Sequence, residues 1–135
     1  MGIDTSLITA ANLVVAELAD CNAVLSLAPD FELPRLVNRQ VVVVPFGKES
    51  SIIGKATVEY VFEIQIGVLR RAKPDEVADL IALSETIGQR LLNKKLGKLF
   101  CFEVSWDPVY SADDLRSKNQ FTSVIDVKLK VIKGA

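Results

Sequence analysis

The thirteen residues 57–69, TVEYVFEIQIGVL, decide the fold class. Val58, Tyr60, Phe62, Ile64, Ile66 and Val68 alternate with Thr57, Glu59, Glu63 and Gln65. A period of two sends successive side chains to opposite sides of an extended chain, which predicts a strand with one buried and one wetter face. Strands usually run about five or six residues, so a strand this long implies a hairpin arm.

Upstream, Arg39–Val44 contains four consecutive valines, Val41 to Val44, and reads as a strand covered on both faces. Pro45 and Gly47 are expected to close it, leaving Gly47–Ala56 as an exposed, mobile loop. Downstream, Pro74, Asp75 and Glu76 suit the start of a helix, and Lys94 and Lys95 suit its end. Val77, Leu80, Ile81, Ser84, Ile87, Gly88 and Leu91 form one stripe at helical spacing, with small residues at 84 and 88 permitting close approach. Gly97 is expected to mark the stop.

Two further strands follow. Phe100, Phe102, Val104 and Trp106 alternate with Cys101, Glu103 and Ser105. Phe121, Ser123, Ile125, Val127, Leu129 and Val131 alternate with Asp126, Lys128 and Lys130. Ser111–Asn119 lies between them as a short polar turn or helix. At the other end of the chain, Ile8, Ala11, Val15 and Leu18 predict a helix over about Thr5–Asn22, capped by Asp4 or Thr5, and Ala28–Pro29 ends it. The expected architecture is one α+β domain over residues 1–135. It is a four-stranded, mainly antiparallel sheet with two helices packed on one face, in the order α-β-β-α-β-β.

Half of the 135 residues are apolar and the mean hydropathy is +0.30, yet no apolar run reaches the roughly 20 residues that span a bilayer. The opening MGIDTSLITAANLVV has no basic start and carries Asp4, so it does not read as a signal peptide, and the expectation is a cytoplasmic chain without membrane contact. Surplus hydrophobicity then points to a buried subunit interface or a dense core. Sixteen basic and seventeen acidic residues nearly cancel, which argues against a global field that draws in nucleic acid.

Catalytic chemistry is hard to place. The chain has no histidine, the commonest general base and metal ligand. Cys21 and Cys101 sit among apolar neighbours and read as buried small hydrophobes rather than a disulfide or a nucleophile. The stretch GKESSIIGK at 47–55 superficially suggests a phosphate loop. However, six residues separate its glycines instead of four, Ala56 follows the lysine, and a strand rather than a helix comes next. The adjacent pairs Asp75–Glu76 and Asp113–Asp114 are explained by helix capping. A metal at Asp113, Asp114 and Ser111 lacks the alternating oxygens and glycine of a calcium loop. Arg70, Arg71 and Lys73, and again Lys94, Lys95 and Lys98, read as helix-end and solvated charge. Lys128, Lys130 and Lys133 would protect the terminal strand if it lay at a sheet edge. No enzyme, cofactor or metal site is expected.

With an N-terminal helix and the Arg39–Val44 strand before them, ATVEYVFEIQIGVLRRA, DEVADLIALSETIGQRLL and FTSVIDVKLKVIK give an element order that resembles the tail-terminator (tail-completion) and neck proteins of long-tailed bacteriophages, over roughly Thr5 to Lys133. The resemblance implies a structural virion protein, assembled in the bacterial cytoplasm and located in the tail or neck. It implies a homohexameric ring that caps the tail tube, contacts tail tube and head–tail connector proteins, and lets DNA pass through its lumen without specific binding. The subunit contact would be heterologous, one patch meeting a different patch on the next copy. The loop residues Gly47, Lys48, Glu49, Ser50, Ser51 and Lys55 would face the lumen or a neighbouring ring, ordering on assembly. Asp113, Asp114, Arg116 and Lys118 would add a second contact. A head–tail connector subunit and a non-viral small ligand-binding domain are the alternatives.

Overall fold

The computed structural model describes residues 6–27, 31, 33 and 39–134. In chain order the elements are α1 (Leu7–Glu17), β1 (Ala23–Leu25), β2 (Arg39–Gly54), β3 (Thr57–Arg71), α2 (Val77–Leu91), β4 (Lys95–Leu96), β5 (Leu99–Trp106), α3 (Ala112–Lys118) and β6 (Gln120–Gly134). The six strands form one sheet in the order β1-β2-β3-β6-β5-β4. β1 runs parallel to β2, and every other neighbouring pair is antiparallel. The expected four-stranded sheet with two helices is therefore corrected to a six-stranded mixed half-barrel with three helices.

The period-two reading of residues 57–69 holds. Phe62, Ile64, Ile66 and Val68 face the core, and β6 supplies Phe121, Ile125, Val127, Leu129 and Val131 beside them. β6 lies between β3 and β5 as far as Lys130, so Lys128 and Lys130 sit on a central stretch and not at an edge, whereas Lys133, beyond the last β5 pair, borders β3 alone. Lys128 pairs with Glu103 at 3.4 Å, and Lys130 stands over the Phe102 ring. All four valines 41–44 are buried, in keeping with cover on both faces.

Both α1 and α2 contribute to the core on the concave face of the sheet. α2 buries Leu80, Ser84, Ile87, Gly88 and Leu91, with Val77 and Ile81 packed against the same core. The polar member of that stripe is satisfied across the interface: Ser84 Oγ lies 2.6 Å from Ser123 Oγ. In α1 the buried residues are Ala10, Ala11 and Val14, followed by Leu18, whereas Ile8 is exposed and Val15 only half-buried. The stripe is thus rotated from the expected one. Ser6 caps α1, its Oγ accepting from Thr9 N–H. Asp4, Thr5 and Ala28–Pro29 lie outside the described residues. α1 ends at Glu17 and a short 3-10 turn, Ala19–Cys21, carries the chain to β1.

Three local expectations are also overturned. β2 does not stop at Pro45; a bulge at Phe46 absorbs the irregularity and pairing with β3 continues to Gly54. α2 ends at Leu91, and Gly97 instead makes the two-residue turn between β4 and β5, at φ 61°. In β5 a bulge between Cys101 and Glu103 breaks the alternation, so Leu99 and Cys101 face inward and Phe100 is exposed. The convex face is covered at one end by Phe31 and Leu33, which pack on Val42 and Leu69.

Candidate functional site

The two ends of the long strands differ in kind. Beyond the helices, β2 from residue 47, the start of β3 and the end of β6 pair as a three-stranded arm. The expected mobile loop is therefore ordered strand, closed by a turn at Lys55–Ala56, with Ala56 at φ 61°. Lys48 Nζ stands 5.2 Å from the centre of the Tyr60 ring and 5.8 Å from that of Phe62, so its stem covers aromatic carbon. Near the tip, Ile52 is 83% exposed, and Ile53 and Ile132 are each 50% exposed.

Glu49 and Glu59 share the convex face of this arm with Ile132, and Ile53 stands at the β2 bulge near its tip. The register fixes that placement: Glu49 opposes Val61, Ser51 opposes Glu59, and Glu59 opposes Ile132. Neither glutamate has an ion-pair partner among the described residues.

At the opposite end, a cleft of about 400 Å³ opens on the concave side. β2 and β3 provide its floor through Val41 and Val68, α2 provides Leu83 and Ile87, and the turn before β1 provides Asp20 and Cys21. Arg39 and Arg70 line it from directly opposed positions on β2 and β3. Like charges so placed repel, and neither arginine has an ion-pair partner among the described residues. Asp20 does not compensate them. Both its oxygens are taken by Arg90, at 2.9 and 3.0 Å, while Arg90 also donates to the Glu17 carbonyl oxygen at 2.9 Å. That fork holds the Asp20 carboxyl below its ordinary range and raises the Arg90 guanidinium.

α3 occupies the same end as the cleft but the convex side. Ser111 Oγ caps it by accepting from Asp114 N–H at 3.2 Å, and Asp113 pairs with Arg116 one turn on. Asp114 Oδ2 accepts from Thr122 Oγ1 at 2.7 Å, and Lys118 lies 3.9 Å from Asp114. Behind them Gln120 is the hub of a buried network. Its Oε1 accepts from Leu33 N–H at 3.1 Å, and its Nε2 donates to the Phe31 carbonyl and to Thr122 Oγ1. Asp113 and Asp114 thus serve as capping and anchoring groups.

The sequence-derived candidates do not converge. Gly47, Lys48, Glu49, Ser50, Ser51 and Lys55 lie on the arm; Asp113, Asp114, Arg116 and Lys118 lie at the other end of the sheet. The fifteen residues of β3 separate the two groups by up to roughly 45 Å at 3.3 Å per residue. Arg39 and Ile132 had no signal marking them in the sequence; Arg70 stood out only as part of a basic cluster. Cys101 is buried, and burial pushes its thiol up to about 11, the opposite of an activated nucleophile. Burial also raises the Cys21 thiol. Among the described residues no three Cys, Asp or Glu side chains gather to hold a metal, and no helix is long and apolar enough to cross a membrane. Comparison with protein-family models and with curated proteins finds no match to this chain.

Proposed function

We propose that the protein is a structural subunit that works by closing a ring with copies of itself, as a tail terminator between the tail tube and the head of a long-tailed phage. The observation that carries this reading is the apolar arm. Ile52, Ile53 and Ile132 stand in solvent on an ordered three-stranded blade, where exposure of that much aliphatic surface is unfavourable unless a partner covers it. The separation of the arm from α3 adds support, because a heterologous contact needs two different patches on one subunit. A head–tail connector subunit uses the same logic with a different docking partner. In either case DNA would pass through the lumen without base-specific contact.

One observation favours a second reading. The cleft holding Arg39 and Arg70 is concave and polar at its rim, as a small-ligand site would be. The two readings separate in one set of measurements. Light scattering behind size exclusion, with negative-stain images of concentrated protein, should reveal rings under the assembly reading. A strict monomer at every concentration, with melting raised by small anions, would favour the ligand-binding domain.

A further inference from the structure

We infer that the convex face of the arm of one copy docks in the Arg39–Arg70 cleft of the next, an inference that rests on the assembly reading and specifies its contact. The two surfaces are complementary in chemistry. The cleft presents two arginines without acidic partners among the described residues, beside exposed Val24 and Leu83. The arm presents two glutamates without basic partners among the described residues, beside exposed Ile53 and Ile132.

The charges are also spaced alike. Arg39 and Arg70 are directly opposed across β2 and β3, about 5 Å apart at the backbone. Glu49 and Glu59 are diagonal neighbours across the same two strands, about 7 to 8 Å apart. Guanidinium and carboxylate side chains reach across such differences, and a desolvated fork on each pair would remove the repulsion that both suffer in the isolated chain.

A single copy cannot make this contact with itself, because cleft and arm stand at opposite ends of β2 and β3. The contact is therefore head to tail: each subunit gives its arm to one neighbour and its cleft to the other. Repetition closes a ring when the rotation per subunit permits. The occupant is a second copy of this chain, and the free cleft in a monomer is the vacated half of the interface.

A mixing experiment tests the inference. Two full-length variants are made, R39E/R70E with its arm intact and E49R/E59R with its cleft intact, each confirmed as folded by circular dichroism and melting. Alone, each should lose the concentration-dependent assembly of the wild type, with the apparent Kd raised at least about ten-fold. Mixed in equal amounts, they should regain assembly as alternating copies, because the intact arm meets the intact cleft and the reversed arm meets the reversed cleft. The four-fold variant R39E/R70E/E49R/E59R should regain assembly. Variants that still form wild-type rings would remove the arm–cleft contact and leave the ring reading standing. Two folded variants that stay apart on mixing, with inorganic phosphate raising the melting of the wild type but not of R39E/R70E, would overturn the inference in favour of a small-anion site. A pair of intact arms that dimerise symmetrically would overturn it as well.

Discussion

The indole of Trp106 lies across the backbone of Gly88. A methyl group there would sit 2.4 Å from Trp106 Cζ2 and 3.1 Å from Val104 Cγ1. The same indole donates its Nε1–H to the Ser84 carbonyl at 3.1 Å. Together with the Ser84–Ser123 hydrogen bond, these contacts seat α2 on β5 and β6 and so hold one wall of the cleft.

Gly88→Ala should therefore destabilise the protein even though alanine is the better helix former. The helix gains about 1 kcal/mol in propensity, but forcing a methyl into a closed contact costs about 1 to 3 kcal/mol in strain. Trp106 is the only tryptophan, so its fluorescence reports directly on the packing. Urea unfolding should show a lower midpoint and a shifted emission in the folded baseline. A variant as stable as the wild type would show that the wall yields easily.

Gln120→Leu keeps the side-chain volume and removes the hub of the convex-face network. Leu33 N–H and the Phe31 carbonyl would then lose their partners, at about 1 to 3 kcal/mol for each buried group left unmade. The expected outcome is a loss of about 2 kcal/mol or more by urea titration. It should come with faster hydrogen exchange at Leu33. An unchanged midpoint would mean that residues 31 and 33 contribute little to the fold.

The elements that alternation or helical spacing defines were legible in the sequence. β3, β6 and the α2 stripe read correctly because one face stays apolar and buried at a regular period, even where the other face of β3 and β6 is covered near Leu69 and Thr122. What failed were the places where the backbone departs from its period. The bulges at Phe46 and after Cys101 move side chains to the other face; Pro45 and Gly47 flank the first but read equally as a strand end, and nothing in LFCFEV marks the second. The polar, glycine-bounded composition of residues 47–55 suggested a loop; cross-strand pairing with β3 overrides that local preference. The three-residue β1 and two-residue β4 are too short to show a period at all. The cleft was invisible for a different reason. Arg39 and Arg70 are thirty-one positions apart in sequence and meet only through register.

Arg90 and Asp20 supply a pH-dependent tie between α2 and the turn before β1. Arg90 holds the Asp20 carboxyl below its ordinary value of 3.8 through hydrogen bonds first and charge second. A carboxyl depressed in the folded state stabilises it above the unfolded-state value, and that contribution disappears as pH falls through the lower folded value. At neutral pH the wild type should melt above Asp20→Asn. The gap should close as pH drops below about 4, and high salt should shrink it because the pair is exposed. Parallel melting curves of constant offset down to about pH 2 would contradict this.

Self-association through the apolar arm is the central claim, and light scattering measured across a concentration series on wild type and Ile53→Lys/Ile132→Lys tests it most directly. The wild type should rise from one chain toward a closed multiple, while the folded double variant stays at one chain throughout. Identical masses for the two proteins at every concentration would contradict it.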